Sequence, residues 1–276
     1  MSKSSTCNAP GVIPTYVISL ARVRDRRIWM EHELARVGLA ATFVAAVDGR
    51  DFGPKCATWL ANHMTHYRLS PLDAAVVMSH RKVWRIFLAS GARHALVLED
   101  DVHFGRDFAD LLTVDWSQWS FDVVKLETFK AWTWLSRRRW RLAGRELRRL
   151  GSTHFGAAAY IVSVAGARKL LRLTRSAFEP IDHTISGEAV IRRGVVDVLQ
   201  LWPAAAIQDM FRAASEEAAK LPSVVTPTRG APAAAFRRGQ IALSHRLMRE
   251  ACRIVDQIYD ATWRRLRWRR VVVPFE

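Results

Sequence analysis

The chain has 276 residues, half of them apolar, which is enough to bury a sizeable core and excludes a chain that is disordered overall. Lysine and arginine number 42 against 26 acidic residues, so the formal net charge is +16. This excess predicts an anionic partner and leaves three classes open: nucleic acid, an anionic membrane surface or a phosphorylated substrate. The three cysteines are far apart, which excludes a disulfide framework and a paired-cysteine zinc site.

The first residues and the longest apolar stretch bear on the compartment. Residues 1–8 are polar and Pro14 interrupts the short apolar stretch after them, so we expect no cleaved signal peptide. The longest uncharged, mostly apolar stretch, residues 155–167, is shorter than the roughly 18 to 20 residues that cross a bilayer. We therefore predict a cytoplasmic protein, with any membrane contact peripheral and on the inner face of the cytoplasmic membrane.

The first part of the chain alternates strand and helix patterns. Residues 15–20 are short, apolar and β-branched, which predicts a buried first strand. Residues 22–38 keep helical spacing up to a glycine, and residues 42–47 are apolar again until an Asp-Gly turn signal. This strand, helix, strand order predicts an α/β fold.

A second helix and a central strand follow. Ser70 is placed to cap the helix, Pro71 suits its first position and Asp73 suits a capping box. Residues 95–98 are all apolar, which predicts a central parallel strand covered on both faces. The same kind of apolar pattern predicts further strands at residues 121–126, 157–162 and 195–201.

Two segments are rich in arginine and tryptophan. We interpret residues 134–150 as an exposed insertion or an amphipathic helix. The composition of residues 213–232 marks a linker, and residues 233–276 carry the apolar stripe of a long helix that ends in arginines and tryptophans. The predicted organisation is one domain over residues 12–212, a linker, and a basic amphipathic helical tail.

Three acids, Glu99, Asp100 and Asp101, come directly after the predicted central strand. Ligands of open α/β sheets bind beyond the carboxyl ends of the strands, so these acids lie where a substrate would sit. A hard divalent cation held by carboxylates neutralises a pyrophosphate as its bond breaks. Asp101 is the predicted metal ligand, and Glu99 is expected to face the metal and its water or the ribose hydroxyls. The alternative is that the acids only solvate the strand end and cap the next element.

Several short segments keep a recognisable order along residues 14–210. They are Tyr16-Val17-Ile18-Ser19-Leu20, Asp25-Arg26-Arg27, Ala46-Val47-Asp48-Gly49, Leu69-Ser70, Ser79-His80 with Trp84, and Ala95 to Asp101. Later segments agree: Gly156 to Ser163, Ala165-Gly166-Ala167, Pro180-Ile181-Asp182, and Pro203 with Gln208. In this order and spacing the chain resembles glycosyltransferase family 25, which contains bacterial lipooligosaccharide galactosyltransferases and resembles the collagen galactosyltransferases.

The resemblance implies a GT-A-like, Rossmann-type domain that binds a nucleotide sugar, commonly UDP-galactose. It also implies Mn²⁺ or Mg²⁺ at the acidic motif, which matches the family's Glu-Asp-Asp form residue for residue, and inversion at the anomeric carbon. The implied reaction is transfer of a sugar, galactose first, to a lipopolysaccharide or lipooligosaccharide acceptor.

Residues near the other strand ends are candidates for binding the donor. The predicted donor-binding set is Ser19, Arg27, Asp48, His80, Glu99, Asp100 and Lys125. Arg27 is chosen from three arginines after the first strand, because a guanidinium suits phosphate. His80 is expected to bind a phosphate or to hold the acidic loop. The alternatives are a solvated helix start for Arg27, a routine turn for Asp48 and simple packing for His80.

An inverting transfer needs a base that takes the proton of the acceptor hydroxyl. Asp182 is the first candidate and Glu127 the second. Asp182 could instead cap the helix that follows Pro180. His154 and His183 are possible further metal or phosphate ligands, with structural roles as the alternative.

The arginine-rich segments indicate an anionic partner surface. Tryptophan with arginine suits a membrane interface, where rings lie at headgroup depth and guanidinium groups meet phosphates. The same residues could bind RNA or DNA through backbone contacts and stacking, but no nucleic-acid module is recognised. The competing hypothesis is therefore a basic nucleic-acid- or membrane-binding protein with a non-catalytic glycosyltransferase-like fold.

Overall fold

The computed structural model describes residues 13–53, 70–176, 179–212 and 265–276. The strands in these ranges are β1 (Thr15–Ser19), β2 (Thr42–Ala45), β3 (His94–Glu99), β4 (Val102–Phe104), β5 (Val123–Lys125), β6 (Glu127–Thr128), β7 (Trp132–Leu142), β8 (Arg145–Leu150), β9 (Ala159–Ser163), β10 (Val198–Trp202), β11 (Ala206–Gln208) and β12 (Trp268–Val272). The helices are α1 (Arg24–Arg36), α2 (Pro71–Ala89), α3 (Val164–Ser176), α4 (Ile181–Ser186), α5 (Glu188–Arg192) and α6 (Arg265–Arg267). Short 3-10 turns cover Gly49–Asp51, Phe108–Leu112, Trp116–Gln118 and Asp209–Phe211.

Nine of the described strands form one mixed sheet in the order β12, β7, β8, β10, β5, β9, β3, β1, β2. β1 is parallel to both β2 and β3, and β10 is parallel to β5, whereas β9 runs antiparallel to β3 and β5. β4, β11 and β6 form a second, small sheet. The predicted α/β fold class is confirmed.

Strand β3 lies between two apolar cores. Ala95 and Val97 pack into one core together with α2 and α3, and Leu96 and Leu98 pack into the other together with α1. All four side chains are fully buried, as the apolar pattern predicts. The parallel pairing holds on the β1 side only, because β9 on the other side is antiparallel.

Helix α2 begins with the predicted capping box. The Ser70 hydroxyl accepts from the backbone N–H of Asp73 at 3.2 Å, and the Asp73 carboxylate accepts from the backbone N–H of Ser70 at 3.0 Å. Such a cap stabilises a helix by roughly 0.5–2 kcal/mol. It fixes the start of the helix whose inner face carries the buried residues Ser79 and His80.

Residues 134–150 lie in a β-hairpin of the main sheet, so the interpretation as an exposed insertion or an amphipathic helix is wrong. β7 and β8 pair antiparallel, and β8 continues the main sheet by pairing with β10. Ala143 and Gly144 both have positive φ, at 45° and 76°, as a tight hairpin turn requires. Leucines of the hairpin face both cores, since Leu135 and Leu150 pack into one core and Leu142 and Leu147 into the other.

The end of the chain also differs from the predicted helical tail. Residues 268–272 form β12, the outermost strand of the main sheet, and pair antiparallel with β7. Residues 213–264, which hold the predicted linker and most of the tail, lie outside the described residues, so the domain boundaries stay a prediction. Among the described helices, none is long and apolar enough to cross a membrane.

Candidate active site

The site forms where the carboxyl ends of β1 and β3 meet the small sheet. β1 and β3 are parallel with Ile18 opposite Glu99, which brings Ser19 beside the acidic motif. β11 pairs with both β4 and β6, so Gln208 and Glu127 reach the same end of the molecule. The predicted gathering of polar groups at this edge therefore depends on two sheets.

Arg26 from α1 is paired with two of the three acids. Its Nε lies 3.1 Å from Asp100 Oδ1, and its Nη2 lies 2.5 Å from Asp101 Oδ2. Burial raises the pKa of Asp101 to about 6; Arg26 counteracts this rise, while Glu99 and Asp100 add to it. Burial likewise raises the pKa of Asp100, against Arg26 and the nearby Ser19 hydroxyl. The acids are thus held close together with incomplete compensation of their charge.

Arg27, the arginine chosen from the sequence, faces away from the acids. Its Nε lies 3.0 Å from Glu31 Oε1 one helical turn on, and its guanidinium stacks over the Phe43 ring at 4.5 Å. Arg26 takes the position at the acids because consecutive helix residues point about 100° apart. The choice between Arg26 and Arg27 depends on how α1 is rotated about its axis, and the sequence alone did not give this rotation.

Gln208 marks the point on which two acids converge. Its Nε2 donates to Glu99 Oε2 at 3.1 Å and lies 3.4 Å from Asp101 Oδ1. Two carboxylate oxygens around one position suit a hard divalent cation that takes its remaining ligands from phosphates and water. Within the described residues, no group of three or more His, Cys, Asp or Glu side chains is arranged to hold a metal by itself. A cation held by the two predicted ligands therefore stays a prediction, and it would need further ligands from a substrate or water.

His80 connects the acids to the core through a hydrogen-bond chain. Its Nε2 lies 3.4 Å from Glu99 Oε1, and its Nδ1 lies 2.8 Å from the Tyr160 hydroxyl, which accepts from Trp84 Nε1 at 2.9 Å. The tautomer with the proton on Nε2 satisfies this chain, since Tyr160 then donates to Nδ1 and His80 donates to Glu99. His80 is fully buried. Of the two roles expected for it, the geometry favours holding Glu99.

Lys125 is buried and its ammonium is occupied by backbone. Nζ donates to the carbonyl oxygens of His154, Phe155 and Gly156 at 2.5, 2.6 and 2.6 Å. Burial lowers the pKa of Lys125 to about 8, against the opposing effect of Glu127. Three donors thus meet three acceptors, and Lys125 fixes the segment 154–156 beside the site.

Glu127 is a further buried carboxylate beside the site. Its Oε1 accepts from the backbone N–H of Ala158 at 2.7 Å, while Oε2 has no hydrogen-bond partner among the described residues. Burial raises the pKa of Glu127 to about 7, against the effect of Lys125. Gly156, with φ of 92°, packs directly on this carboxylate, since a Cβ there would lie 2.8 Å from Oε2.

Asp182 lies in the first turn of α4, on the side of Lys125. Its Oδ1 accepts from the backbone N–H of His183 at 2.9 Å, and its charge opposes the lowering of the Lys125 pKa. The carboxylate is partly exposed. The N-cap of α4 is Pro180 and no side chain caps this helix, so the capping alternative for Asp182 is wrong, and its role as base stays a prediction.

The two histidines considered as ligands pack against aromatic rings. The His154 ring is buried 4.9 Å from the ring of Phe129, and the His183 ring lies 4.7 Å from that of Phe155. Burial, assisted by Lys125, lowers the pKa of His154 well below its ordinary value. These contacts favour the structural alternative for both.

Asp48 follows β2 at the same edge as the acids. Its Oδ2 lies 2.5 Å from Arg22 Nε, and its Oδ1 accepts from the backbone N–H of Arg50 at 3.1 Å. The ion pair with Arg22 is the main cause that lowers the pKa of Asp48. Asp48 therefore performs the turn role, at a place beside the first strand.

Comparison with known proteins adds a family to this geometry. The sequence model of the family described as "Glycosyltransferase family 25 (LPS biosynthesis protein)" matches residues 12–185. The chain belongs to glycosyltransferase family 25. It is accordingly a transferase, and the resemblance on which the sequence analysis rests is confirmed.

Relatives of this glycosyltransferase include bacterial and animal proteins. The lacto-N-neotetraose biosynthesis glycosyltransferase LgtB of Neisseria meningitidis serogroup B is 29% identical, over 95% of this chain and 99% of its own. The lipooligosaccharide biosynthesis protein lic2B of Haemophilus influenzae is 24% identical, over 56% of this chain and 61% of its own. A human protein named inactive glycosyltransferase 25 family member 3 is 28% identical, over 58% of this chain and 29% of its own.

Sequence reasoning did not select three residues that contact the acids or their supports. Arg26 was passed over for its neighbour, Gln208 was used only in the resemblance, and Tyr160 was not considered. A signal existed for Gln208, because the resemblance ends there. Tyr160 reads as an ordinary strand residue, and only the fold brings it to His80.

Proposed function

We propose that this glycosyltransferase moves galactose from UDP-galactose to a lipooligosaccharide or lipopolysaccharide glycan, with a divalent cation and with inversion. The observation that carries the proposal is that Glu99 Oε2 and Asp101 Oδ1 both contact Gln208 Nε2, which places the two carboxylates side by side at the end of β3. We further propose a GT-A arrangement, in which one Rossmann-like domain holds the donor. The parallel strands β2, β1 and β3, which end at this edge, support it.

We call the end of β3 with Glu99, Asp100 and Asp101 the acidic edge. It would hold Mn²⁺ or Mg²⁺ through Glu99 and Asp101. Such a cation, when bound, offsets the charge that the nucleoside diphosphate gains as it leaves. Arg26 orients Asp100 and Asp101 by its two contacts, and its guanidinium adds a fixed positive charge next to the phosphates. His80 orients Glu99 in the same way.

Asp182 is the proposed base, and Glu127 is the second candidate. A base must reach the acceptor hydroxyl, and the partly exposed carboxylate of Asp182 meets this condition. Glu127 is only 1% exposed, although its pKa of about 7 would suit proton transfer at neutral pH. We therefore assign Glu127 to shaping the site and Asp182 to accepting the proton.

The proposed acceptor rests on the relatives. The name of lic2B refers to lipooligosaccharide biosynthesis and that of LgtB to lacto-N-neotetraose, and LgtB matches over nearly its full length. A lipid-linked acceptor implies work at a bilayer, so we propose a cytoplasmic enzyme attached peripherally to the inner face of the membrane. The net charge of +16 supports an anionic surface as partner.

A donor screen tests the proposal. The purified full-length chain is incubated with Mn²⁺ and a panel of nucleotide sugars, with and without lipooligosaccharide, and released nucleotide is measured. We expect UDP release from UDP-galactose that rises with acceptor and falls with a chelator. The anomeric configuration of the product, read by NMR, tests inversion.

Two results would contradict parts of the proposal. Absence of both binding and turnover for every donor would favour the non-catalytic alternative, and salt-dependent retention on polynucleotide would then favour a nucleic-acid binder. Undiminished turnover in chelator would remove the cation from the mechanism. Full activity of Asp182→Asn with loss in Glu127→Gln would exchange the roles of the two carboxylates.

A further inference from the structure

The outer edge of the main sheet carries an unusual density of exposed arginines. Strand β12 is the last strand of the sheet and pairs with β7 from Trp268 opposite Ser136 to Val272 opposite Trp132. We call the exposed arginines of β7, β12 and the adjoining α6 the arginine edge: Arg137, Arg138, Arg141, Arg265, Arg267, Arg269 and Arg270.

The arginine edge is not neutralised by described carboxylates. None of its seven guanidinium groups forms an ion pair with an acidic residue in the described part of the chain, whereas the neighbouring Arg139 and Arg148 pair with Glu146 and Arg149 pairs with Asp197. Five of these like charges lie on two adjacent strands and two lie on α6, and they repel each other in the free protein. A multivalent anionic partner would relieve this repulsion.

Tryptophan side chains share one face of the strand pair with Arg270, whereas Arg269, opposite Leu135, lies on the other face. Residues opposite each other in an antiparallel pair share a face, and so do alternate residues of one strand. Trp132, Trp134, Trp268, Arg270 and Val272 therefore lie on the same face. Trp132 is 62% exposed with the Arg270 guanidinium 5.2 Å from its ring, and Val272 is 36% exposed. Amphipathic rings next to guanidinium groups are suited to the headgroup depth of a bilayer.

The edge is tied to the active site by a short connection. Thr128, next to Glu127 in β6, donates from Oγ1 to the carbonyl oxygen of Val273 at 2.7 Å. Strand β7 begins at Trp132, four residues after Thr128. A surface that holds the arginine edge would therefore lie beside the small sheet that carries Gln208 and Glu127.

We propose that the arginine edge, which presents guanidinium groups on both faces of the outermost strands, is the surface with which the enzyme docks to a bilayer bearing anionic phosphate headgroups. This deepens the proposed function, because the same bilayer would present the glycolipid acceptor. Guanidinium groups bind the headgroup phosphates, and Trp132 and Val272 enter the interface. The partner is a lipid surface rather than a free glycan, because the exposed side chains are predominantly cationic.

Sedimentation with vesicles tests the docking face. The full-length protein is mixed with vesicles of phosphatidylcholine alone or with phosphatidylglycerol, at low and high salt. The variant Arg138→Gln/Arg141→Gln/Arg269→Gln/Arg270→Gln should lose at least about tenfold in partitioning to anionic vesicles. The matched control Arg85→Gln/Arg93→Gln/Arg168→Gln/Arg172→Gln removes the same charge from exposed positions outside the edge and should stay within about twofold of wild type.

Further readouts separate this proposal from the proposed function. Arg→Lys substitution at the same four edge positions should retain most of the binding, because the charge is kept. Release of UDP from UDP-galactose with a soluble acceptor should be unchanged in the edge variant, so docking and chemistry can fail independently. Equal losses in the edge and control variants, or unchanged partitioning of the edge variant, would overturn the proposal. A further arm uses neutral vesicles that carry the glycolipid acceptor. If the edge variant lost binding to these vesicles but bound anionic vesicles as the wild type does, the edge would be a carbohydrate-binding surface and the proposal would be overturned.

Discussion

Arginine serves opposite purposes at the two edges of this molecule. At the acidic edge, Arg26 is largely buried and contacts two carboxylates, so its charge is compensated within the protein. At the arginine edge, guanidinium groups such as those of Arg269 and Arg270 are exposed and have no ion pair among the described residues. The comparison teaches that net charge alone says little about a site, because burial and pairing decide which charges remain available to a partner.

The comparison predicts that a substitution at the acidic edge impairs chemistry without loss of the fold. Asp101→Asn should lower Mn²⁺-dependent turnover by at least about 100-fold, because one of the two converging carboxylates is lost. The control Asp110→Asn removes an exposed carboxylate elsewhere and should leave turnover unchanged. Initial rates against Mn²⁺ concentration, with circular dichroism to verify folding, decide the matter. Normal rates of the Asp101→Asn enzyme would contradict the prediction that the acidic edge takes part in the chemistry.

A second prediction concerns the packing that holds Glu127. Gly156→Ala introduces a Cβ 2.8 Å from Glu127 Oε2 at a φ of 92°, whereas Gly144→Ala meets positive φ with no atom within 4 Å. Gly156→Ala should reduce the free energy of unfolding by about 2–4 kcal/mol, and Gly144→Ala by about 1–2 kcal/mol. Denaturant titration measures both. Equal losses would mean that Glu127 can move aside and that the active site is less rigid than its contacts indicate.

A third prediction concerns the support of Glu99. Tyr160→Phe removes the hydroxyl between Trp84 and His80 and leaves two buried polar groups without that partner. The free energy of unfolding should fall by about 1–3 kcal/mol. Turnover should fall about tenfold, with an increase in the Mn²⁺ concentration needed for half-maximal rate, because Glu99 loses its orientation. A stability loss with an unchanged Mn²⁺ dependence would make the chain of hydrogen bonds structural only.

The acidic edge could be predicted from the sequence because its signals are local. An apolar run that ends in three acids, and a serine, proline and aspartate that begin a helix, depend on neighbouring residues. Arg26 against Arg27 could not be decided without the phase of α1. Gln208 lies more than a hundred residues from Glu99, and only the pairing of β11 with β4 joins them.

The arginine edge was the harder region to predict. Arginine and tryptophan side chains have apolar stems as well as polar ends, so their alternation in β7 does not resemble the usual apolar and polar pattern of a strand. Ala143-Gly144 was the local signal for a hairpin, and it was not used. The strand β12 pairs with a segment more than 130 residues earlier, so its local sequence does not distinguish it from the end of a helix.

The smallest predicted effect is a pH dependence of the free energy of unfolding that comes from the buried Glu127 and not from the exposed arginine edge. Glu127 has a pKa of about 7 in the folded protein against 4.5 for the ordinary group, so the folded state retains a proton that the unfolded chain releases. Its contribution is fully present below pH 4.5 and is lost as the pH rises through about 7. The free energy of unfolding should therefore decline by about 1–2 kcal/mol across this window, and Glu127→Gln should decline less. The four-arginine edge variant, whose exposed groups stay charged throughout, should keep the wild-type decline. If Glu127→Gln declined as wild type does, another group would be responsible, and the contrast between buried and exposed charge would lose its support at this residue.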